Sequence, residues 1–334
     1  MKLSIIIVNY NSEKYICDCL NSAFQFSSAR NFEWIIVDNN SSDNSKKEIV
    51  DRFPSVTWIE MGYNAGFARA NNAGILKSAG DTVLLLNPDT VILNDSINLC
   101  LSRLWSGKKI ACSVQLLNPD LSAQITGNYF MKGGLNHLLP LPYLGKILRE
   151  IAFLFRAKKT SVPQANNEQE VDWINGAFLM VKKSTIEKAG LMDEDFFLYA
   201  EEAEWCYRLK KCGNPVVYGD LHAIHLQGEI INKASNSPDK GYFNLYDKKG
   251  LQLMVSNTLR IRKQYGSGWF VFHVFLYIIE IPLFLLCNFF ENIIRFQNPS
   301  RNWSLVYGYS KNVFALARLS RDIIAGKHRL YKMI

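Results

Sequence analysis

The chain lacks the glycine-rich turns that usually hold phosphate on a nucleotide-binding sheet. There is no GxGxxG after the first apolar stretch and no GxxxxGK[ST] anywhere. That absence counts against a dinucleotide-dependent oxidoreductase, and a bound nucleotide would need its phosphates held in another way. Paired cysteines are missing too. The seven present (17, 19, 100, 112, 206, 212 and 287) are odd in number and show no CxxC spacing, which argues against a disulfide framework or a structural zinc site and fits a reducing compartment. No nucleic-acid-binding motif appears. The N-terminal apolar run is too short for a signal peptide and reads as a first strand. With 48% hydrophobic and 20% charged residues, neither a disordered nor a collagen-like chain is possible.

What is present suits one large domain or two modest ones in 334 residues. The net charge of +8 is concentrated. Between Lys132 and Lys159 six basic residues stand against Glu150 alone, and from Lys311 to Lys332 another six stand against Asp322. Both segments interleave their charge with Leu, Ile and Phe. That pattern suits an anionic membrane surface, where each Lys or Arg near the headgroups contributes about 1 kcal/mol.

The organising stretch is Val83-Leu84-Leu85-Leu86-Asn87-Pro88-Asp89-Thr90. Four apolar residues in a row read as a strand buried on both faces of a parallel sheet, and Pro88 must end it because it cannot donate to a ladder. Asp89 then lies past the carboxyl end of a central strand, where open α/β sheets hold ligands. An acid there can also simply cap the next helix. Strands are expected at Leu3–Val8, Trp34–Val37, Val56–Glu60, near Ile110–Leu117, over Val171–Val181 and at Pro215–Tyr218, with helices between them. Asp38 ends the second strand as Asp89 ends the fourth, so both should share one rim. A hard divalent ion held by such acids could bridge to diphosphate oxygens in place of a glycine loop.

Glu201, Glu202 and Glu204 cannot share one helical face, since neighbours diverge by about 100°. One can enter a cleft while another caps the helix or pairs with Arg208, although the helix dipole alone favours acids in a first turn. His225 follows the last expected strand, on the same rim as Asp89. Residues 231–240 are polar and turn-rich, as a mobile lid would be. Leu144–Phe155 could form an amphipathic helix with basic flanks, or an ordinary surface helix. Trp269–Phe290 is long enough to cross a bilayer, but Glu280 near its middle makes a simple span costly. An interfacial hairpin kinked at Pro282 or a membrane-lying amphipathic helix is favoured over a true span or a dry core helix.

Five blocks resemble the family 2 glycosyltransferases, especially the rhamnosyltransferase-like branch that extends bacterial surface polysaccharides. They are Ser4–Asn11, Val37–Asp43, Asn64–Asn71, Asn87-Pro88-Asp89 and Met192–Glu202, with His225 and Gly228 as a weaker sixth. The resemblance implies an α/β fold with a mostly parallel, Rossmann-like sheet of the GT-A type and a C-terminal helical, membrane-associating extension. It implies a catalytic domain over 1–230, with 127–170 as a variable insertion, and a lid and membrane-associated helical region over 231–334.

By the same resemblance Tyr10 and Asp38 hold the donor's base, with Asn9 beside them, while Asn64, Arg69 and Asn71 line the nucleotide pocket. Asn87-Pro88-Asp89 stands in place of the family's DxD element, so that Asn87 touches the nucleotide-sugar and Asp89 holds a Mg²⁺ or Mn²⁺ with His225. Glu202 takes the place of the catalytic base, with Glu201 as the alternative. The chain departs from the family in having Glu202 and Glu204 where Asp is more common, and Asn87 where an acid is usual.

The expected reaction is inverting transfer of a hexosyl or deoxyhexosyl group from a nucleotide-diphosphate donor. The acceptor is expected to be a glycan, often lipid-linked, at the cytoplasmic face of the inner membrane. The protein would be peripheral or monotopic there, or hold one span, with no nucleic-acid partner. The competing class is a catalytically silent glycan- or partner-binding protein of the same fold, which loss of Asp89 or of both Glu201 and Glu202 would have signalled.

Overall fold

Runs such as Ile5-Ile6-Ile7 and Val83–Leu86 have no polar face, so a strand made of them needs cover on both sides. A computed structural model of the chain describes residues 2–226 and 244–334. Two compact units divide it: Met1–Phe130, Ser161–Phe197 and Glu201–Ile230 make the first, and Met131–Thr160, Leu198–Ala200 and Ile231–Ile334 the second. The expected lid over 231–240, like Gly228, lies outside the described residues.

In the first unit β1 (Leu3–Asn9), β2 (Glu33–Asp38), β3 (Thr57–Glu60) and β4 (Thr82–Leu86) pair in parallel in the order β3-β2-β1-β4. Further along come β5 (Thr90–Ile92), β6 (Ala111–Leu117), β7 (Gly127–Asn128), β8 (Ser161–Val162), β9 (Glu168–Glu170), β10 (Trp173–Ile174), β11 (Phe178–Lys182) and β12 (Val216–His225). The large sheet continues from β4 through β11, β6 and β12 to β5, with β9 also on β12. Here β11 runs antiparallel to both neighbours, β6 and β12 are parallel, and β5 and β9 are antiparallel to β12. The small strands β10, β7 and β8 form a second sheet.

Alternate residues of the central strands enter opposite layers. Ile5, Ile7, Leu84 and Leu86 pack in one core, and Ile6, Val83 and Leu85 in the other. Helices α1 (Glu13–Phe24), α2 (Ser45–Arg52) and α4 (Ser96–Ser106) cover the first face; α3 (Gly66–Lys77), α6 (Lys183–Ala189) and α7 (Glu201–Leu209) cover the second, while α5 (Leu144–Leu154) belongs to the second unit. The small residues of α3 have a structural use. A Cβ on Gly74 would lie 2.5 Å from Ile6 Cγ2, so glycine lets the helix sit directly on β1.

Two strand expectations need correction. Val171–Val181 is not one strand: it breaks at Asn175-Gly176-Ala177 into β10 and β11, and the Asn175 side chain accepts from Ala177 N at 2.9 Å to close the turn. The last strand does not stop at Tyr218. After a register irregularity between Tyr218 and His222, β12 continues to His225 because β6 and β5 flank it.

The second unit contains α5 and three long helices, α8 (Lys248–Tyr265), α9 (Ser267–Ile294) and α10 (Trp303–Ile324). The hairpin expected at Pro282 does not form, and α9 runs through the proline unbroken. Nor does Glu280 stand exposed in the middle of the apolar stretch. It is fully buried, and its carboxylate accepts from Tyr143 N at 2.6 Å and Leu144 N at 2.9 Å, the free donors at the start of α5. An acid that looks costly in sequence is thus a helix cap supplied from another helix.

Replacing Glu280 with Ala should lower unfolding stability by about 1–3 kcal/mol, because two donors lose their acceptor. Glu280→Gln keeps one acceptor oxygen and should recover part of that loss, as read by thermal denaturation of the two variants.

Candidate active site

The site begins where β4 ends. Asn87 N still donates to Ala177 O of the neighbouring chain segment at 2.9 Å, but Pro88 stops the ladder and the chain turns. Thr90 Oγ1 closes that turn by donating to Asn87 O at 2.7 Å, and β5 leads away, paired with the end of β12. His225 stands opposite Thr90 in that pairing, and Leu226 N donates to Asp89 O at 3.0 Å. Backbone register therefore carries Asp89 and His225 to the same point.

Their side chains meet there. His225 Nε2 lies 3.4 Å from Asp89 Oδ1 and 3.3 Å from Asn87 Nδ2, and both the acid and the imidazole are buried. The other ring nitrogen, Nδ1, is 3.1 Å from Gln124 Oε1, while the amide nitrogen of Gln124 donates to His225 O at 2.6 Å. An amide oriented in this way accepts from Nδ1–H, so in the neutral ring Nε2 carries a lone pair towards Asp89. Sequence reading missed Gln124. A single glutamine in an irregular stretch carries no periodic signal, and its partner is 101 residues away.

This donor set fits a divalent cation. A carboxylate oxygen and an imidazole lone pair converge, and the second imidazole nitrogen is held by an outer partner, as is usual for metal-ligating histidines. Among the described residues no group of three or more His, Cys, Asp or Glu is arranged to hold a metal. Two protein ligands leave most of the coordination to substrate oxygens and water, which is how Mg²⁺ is commonly held beside phosphates. Cys19 adds no thiolate. Burial, opposed by a hydrogen bond with Thr90 and aided by the Asp89 charge, pushes its thiol up to about 12.

Asp38 ends β2 as expected. One oxygen accepts from Asn9 Nδ2 at 2.8 Å and the other from Ser41 N at 3.0 Å, so the acid is fixed against β1 and its own loop. Tyr10 follows Asn9 and is half-buried. The next residue, Asn39, also went unassigned: its amide donates to Gly66 O at 3.0 Å and accepts from Ala65 N at 3.1 Å, which ties the Asp38 loop to the start of α3. Asn64 caps that start by accepting from Gly66 N at 3.2 Å.

The two other residues expected on α3 are engaged in local contacts. Asn71 is buried and donates to Phe67 O of its own helix at 2.9 Å, and Arg69 Nε donates to Glu194 O at 3.1 Å. Asn72, which had no expected role, exchanges hydrogen bonds with the backbone of Met192 at 2.9 and 3.0 Å. The 64–71 and 192–202 blocks are therefore physically joined along α3.

The three acids of α7 sort as their helical spacing demands. Glu204 is taken by Arg208, whose Nε lies 2.8 and 3.1 Å from its two oxygens. Glu201 is buried and Glu202 half-exposed. A Cβ on Gly176 would stand 3.7 Å from Glu202 Cβ and 3.5 Å from the Phe67 ring. Gly176 immediately precedes Ala177, whose carbonyl holds Asn87. Glu202 thus belongs to the same end of the sheet as Asp89, and of the two adjacent acids it is the one open to solvent.

The solved structure of GalNAc-T7 with UDP, GalNAc and Mn²⁺ superposes with a TM-score of 0.51 at 14% identity, over 67% of this chain and 44% of that one. The likeness concerns the fold alone, which is of the GT-A type. Residues 4–159 match the family model described as glycosyl transferase family 2, and the chain carries a domain of that family. It is 31% identical over 214 residues to the low-salt glycan biosynthesis hexosyltransferase Agl10 of Haloferax volcanii, covering 63% of this chain and 62% of that protein. It is also 26% identical over 231 residues to the N-acetylglucosaminyl-diphospho-decaprenol L-rhamnosyltransferase of Mycobacterium tuberculosis, covering 65% and 73%. The chain therefore spans less than two thirds of the length of Agl10 but more of the mycobacterial protein.

Gln124→Leu should release the His225 ring from its fixed tautomer. Long-range ¹⁵N correlation spectra of the variant should show the Nδ1–H form joined by the Nε2–H form, where the parent shows the first alone.

Proposed function

We propose that the protein is an inverting, metal-dependent glycosyltransferase that moves a hexosyl or deoxyhexosyl group from a nucleotide-diphosphate donor to a glycan or lipid-linked acceptor in surface polysaccharide synthesis. The observation that carries this reading is the convergence of Asp89 and the His225 lone pair at the end of β4, with Glu202 on the same rim. The family 2 domain supports the reaction class, and the decaprenol-linked substrate in the mycobacterial relative's name supports a lipid-linked acceptor.

Asp89 and His225 would hold a Mg²⁺ or Mn²⁺, which supplies Lewis acidity to the departing diphosphate. Asp38, fixed by Asn9 and Ser41, offers its remaining lone pairs to the donor's base beside Tyr10; Asn64, Arg69 and Asn87 complete the donor surface, and buried Asn71 supports it from within α3. Glu202 accepts the proton of the attacking acceptor hydroxyl as the bond to the anomeric carbon forms, from the face opposite the leaving group. Buried Glu201 is the lesser candidate, because a base must meet an acceptor that arrives from solvent.

Work at a cytoplasmic membrane surface is supported by the inverted amphipathicity of α9. Beside Phe270, Val274 and Phe284 this helix buries His273, Tyr277, Glu280, Asn288 and Asn292, and it exposes Phe272, Phe275, Ile278, Leu286, Phe290 and Ile294. Most of the helix's polar side chains turned inward, with a broad apolar face left outside, is the arrangement of a helix whose outer medium is hydrocarbon. The tip of α5 repeats the pattern, with Phe153, Leu154 and Phe155 exposed just before Arg156, Lys158 and Lys159.

Glu202→Gln should lower the transfer rate by roughly two to four orders of magnitude while donor binding stays near normal; near-normal turnover would move the base elsewhere. In Asp89→Asn, Mn²⁺-dependent thermal protection by nucleoside diphosphates should disappear. Protection that survives that change would sink the metal site.

A further inference from the structure

The second unit contains a polar cavity of about 380 Å³ that has no part in the chemistry above. Its walls come from the start of α5, the last turns of α9 and the loop that follows. Lys146, Arg295 and Arg301 face it, with Glu291 as their single carboxylate. Glu291 is already committed: Arg295 holds one oxygen at 2.6 Å and Tyr143 Oη donates to the other at 2.7 Å. Its acidity is increased accordingly, first by that tyrosine bond and then by the nearby cations. Arg301 makes no ion pair among the described residues, and Lys146 is 3.9 Å from Glu291. The cavity therefore has more positive charge than its walls neutralise. Asn288 and Asn292 line it as well, and Asn292 is locked by donating to Pro299 O and Arg301 O at 3.3 and 3.0 Å, which fixes the loop carrying Arg301.

The cavity lies on one face of α9, along Phe284, Asn288, Glu291, Asn292 and Arg295, spaced as one side of a helix. The opposite side presents Phe290, Ile293 and Ile294, and Phe296 just beyond is 99% exposed. A cationic, amide-rich pocket on a helix whose other side is an uncovered apolar surface suits an amphiphile with an anionic head and a hydrocarbon tail. Arginine and lysine with amide donors are the groups that recognise phosphoryl oxygens.

We propose that this cavity binds the phosphoryl headgroup of a membrane lipid, with Arg301 and Lys146 as its principal contacts, and so fixes how the protein is seated on the bilayer. The inference rests on the membrane-facing reading of α9 and is independent of the transfer reaction. It concerns a headgroup in the bilayer and not free phosphate, although the two share one chemistry.

The test is co-sedimentation of the full chain with vesicles of phosphatidylcholine alone, with added phosphatidic acid, or with phosphatidylserine at matched surface charge. The parent should prefer phosphatidic acid. Arg301→Ala and Lys146→Ala, both at exposed positions, should each lower that binding about fivefold and leave binding to neutral vesicles unchanged. Lys158→Ala should weaken binding to both anionic vesicles alike. Equal binding of the parent to both anionic vesicles, or equal losses on both in Arg301→Ala, reduces the effect to general charge and overturns the proposal. Thermal protection by inorganic phosphate without any preference for phosphatidic acid makes the cavity a free-phosphate site and also overturns it. Binding to neutral vesicles without headgroup preference defeats the pocket but spares the membrane reading, whereas failure to sediment with any vesicle defeats both.

Discussion

The constraint on which the first unit depends is the forced end of β4 at Pro88. Without a donor at that residue the ladder cannot continue, and the chain turns at Asp89 into β5, which in turn pairs with β12. One missing N–H thereby sets three things: where the central strand stops, which strand lies beside the new edge, and which residue of that strand faces the acid. The Asp89–His225 contact at 3.4 Å is the product of register rather than of side-chain reach. Gln124 then decides which imidazole nitrogen is presented, so a backbone limit is converted into a defined donor atom.

The parts of the fold that could be read from sequence were those with burial on both sides. Ile5-Ile6-Ile7, Trp34–Val37 and Val83–Leu86 are apolar at every position because helices cover each face, and this shows without any knowledge of partners. Asp89, His225 and the Glu204–Arg208 pair were legible for a similar reason, being set by strand ends or by spacing along one helix. What escaped depends on distant neighbours. Gln124, Asn39 and Asn72 act through hydrogen bonds to remote backbone, and no local pattern records them. The second half of β12 is not legible because Gly219-Asp220 reads as a turn, and only its pairing with β5 and β6 makes it a strand.

Glu280 shows the same limit from the other side. Read alone, an acid inside an apolar stretch is a penalty to be avoided, and it led to the expectation of a broken helix. Its two backbone partners lie 136 and 137 residues earlier in the chain. Once they are in place the acid stabilises α5, and α9 runs on past Pro282 without a break. The apolar side chains that remain outside are then the feature of α9 that calls for explanation.

The distance along the chain between Asn87 and His225, 138 residues, has a consequence for synthesis. Every strand of the parallel quartet leaves the ribosome long before β12, so the early sheet is made before the strand that carries His225. Closing so long a loop is slow compared with forming local contacts. A nascent or truncated chain that ends before β12 has Asp89 but lacks the imidazole that meets it. The Asp89–His225 pair is thereby completed only when nearly all of the first unit has been made.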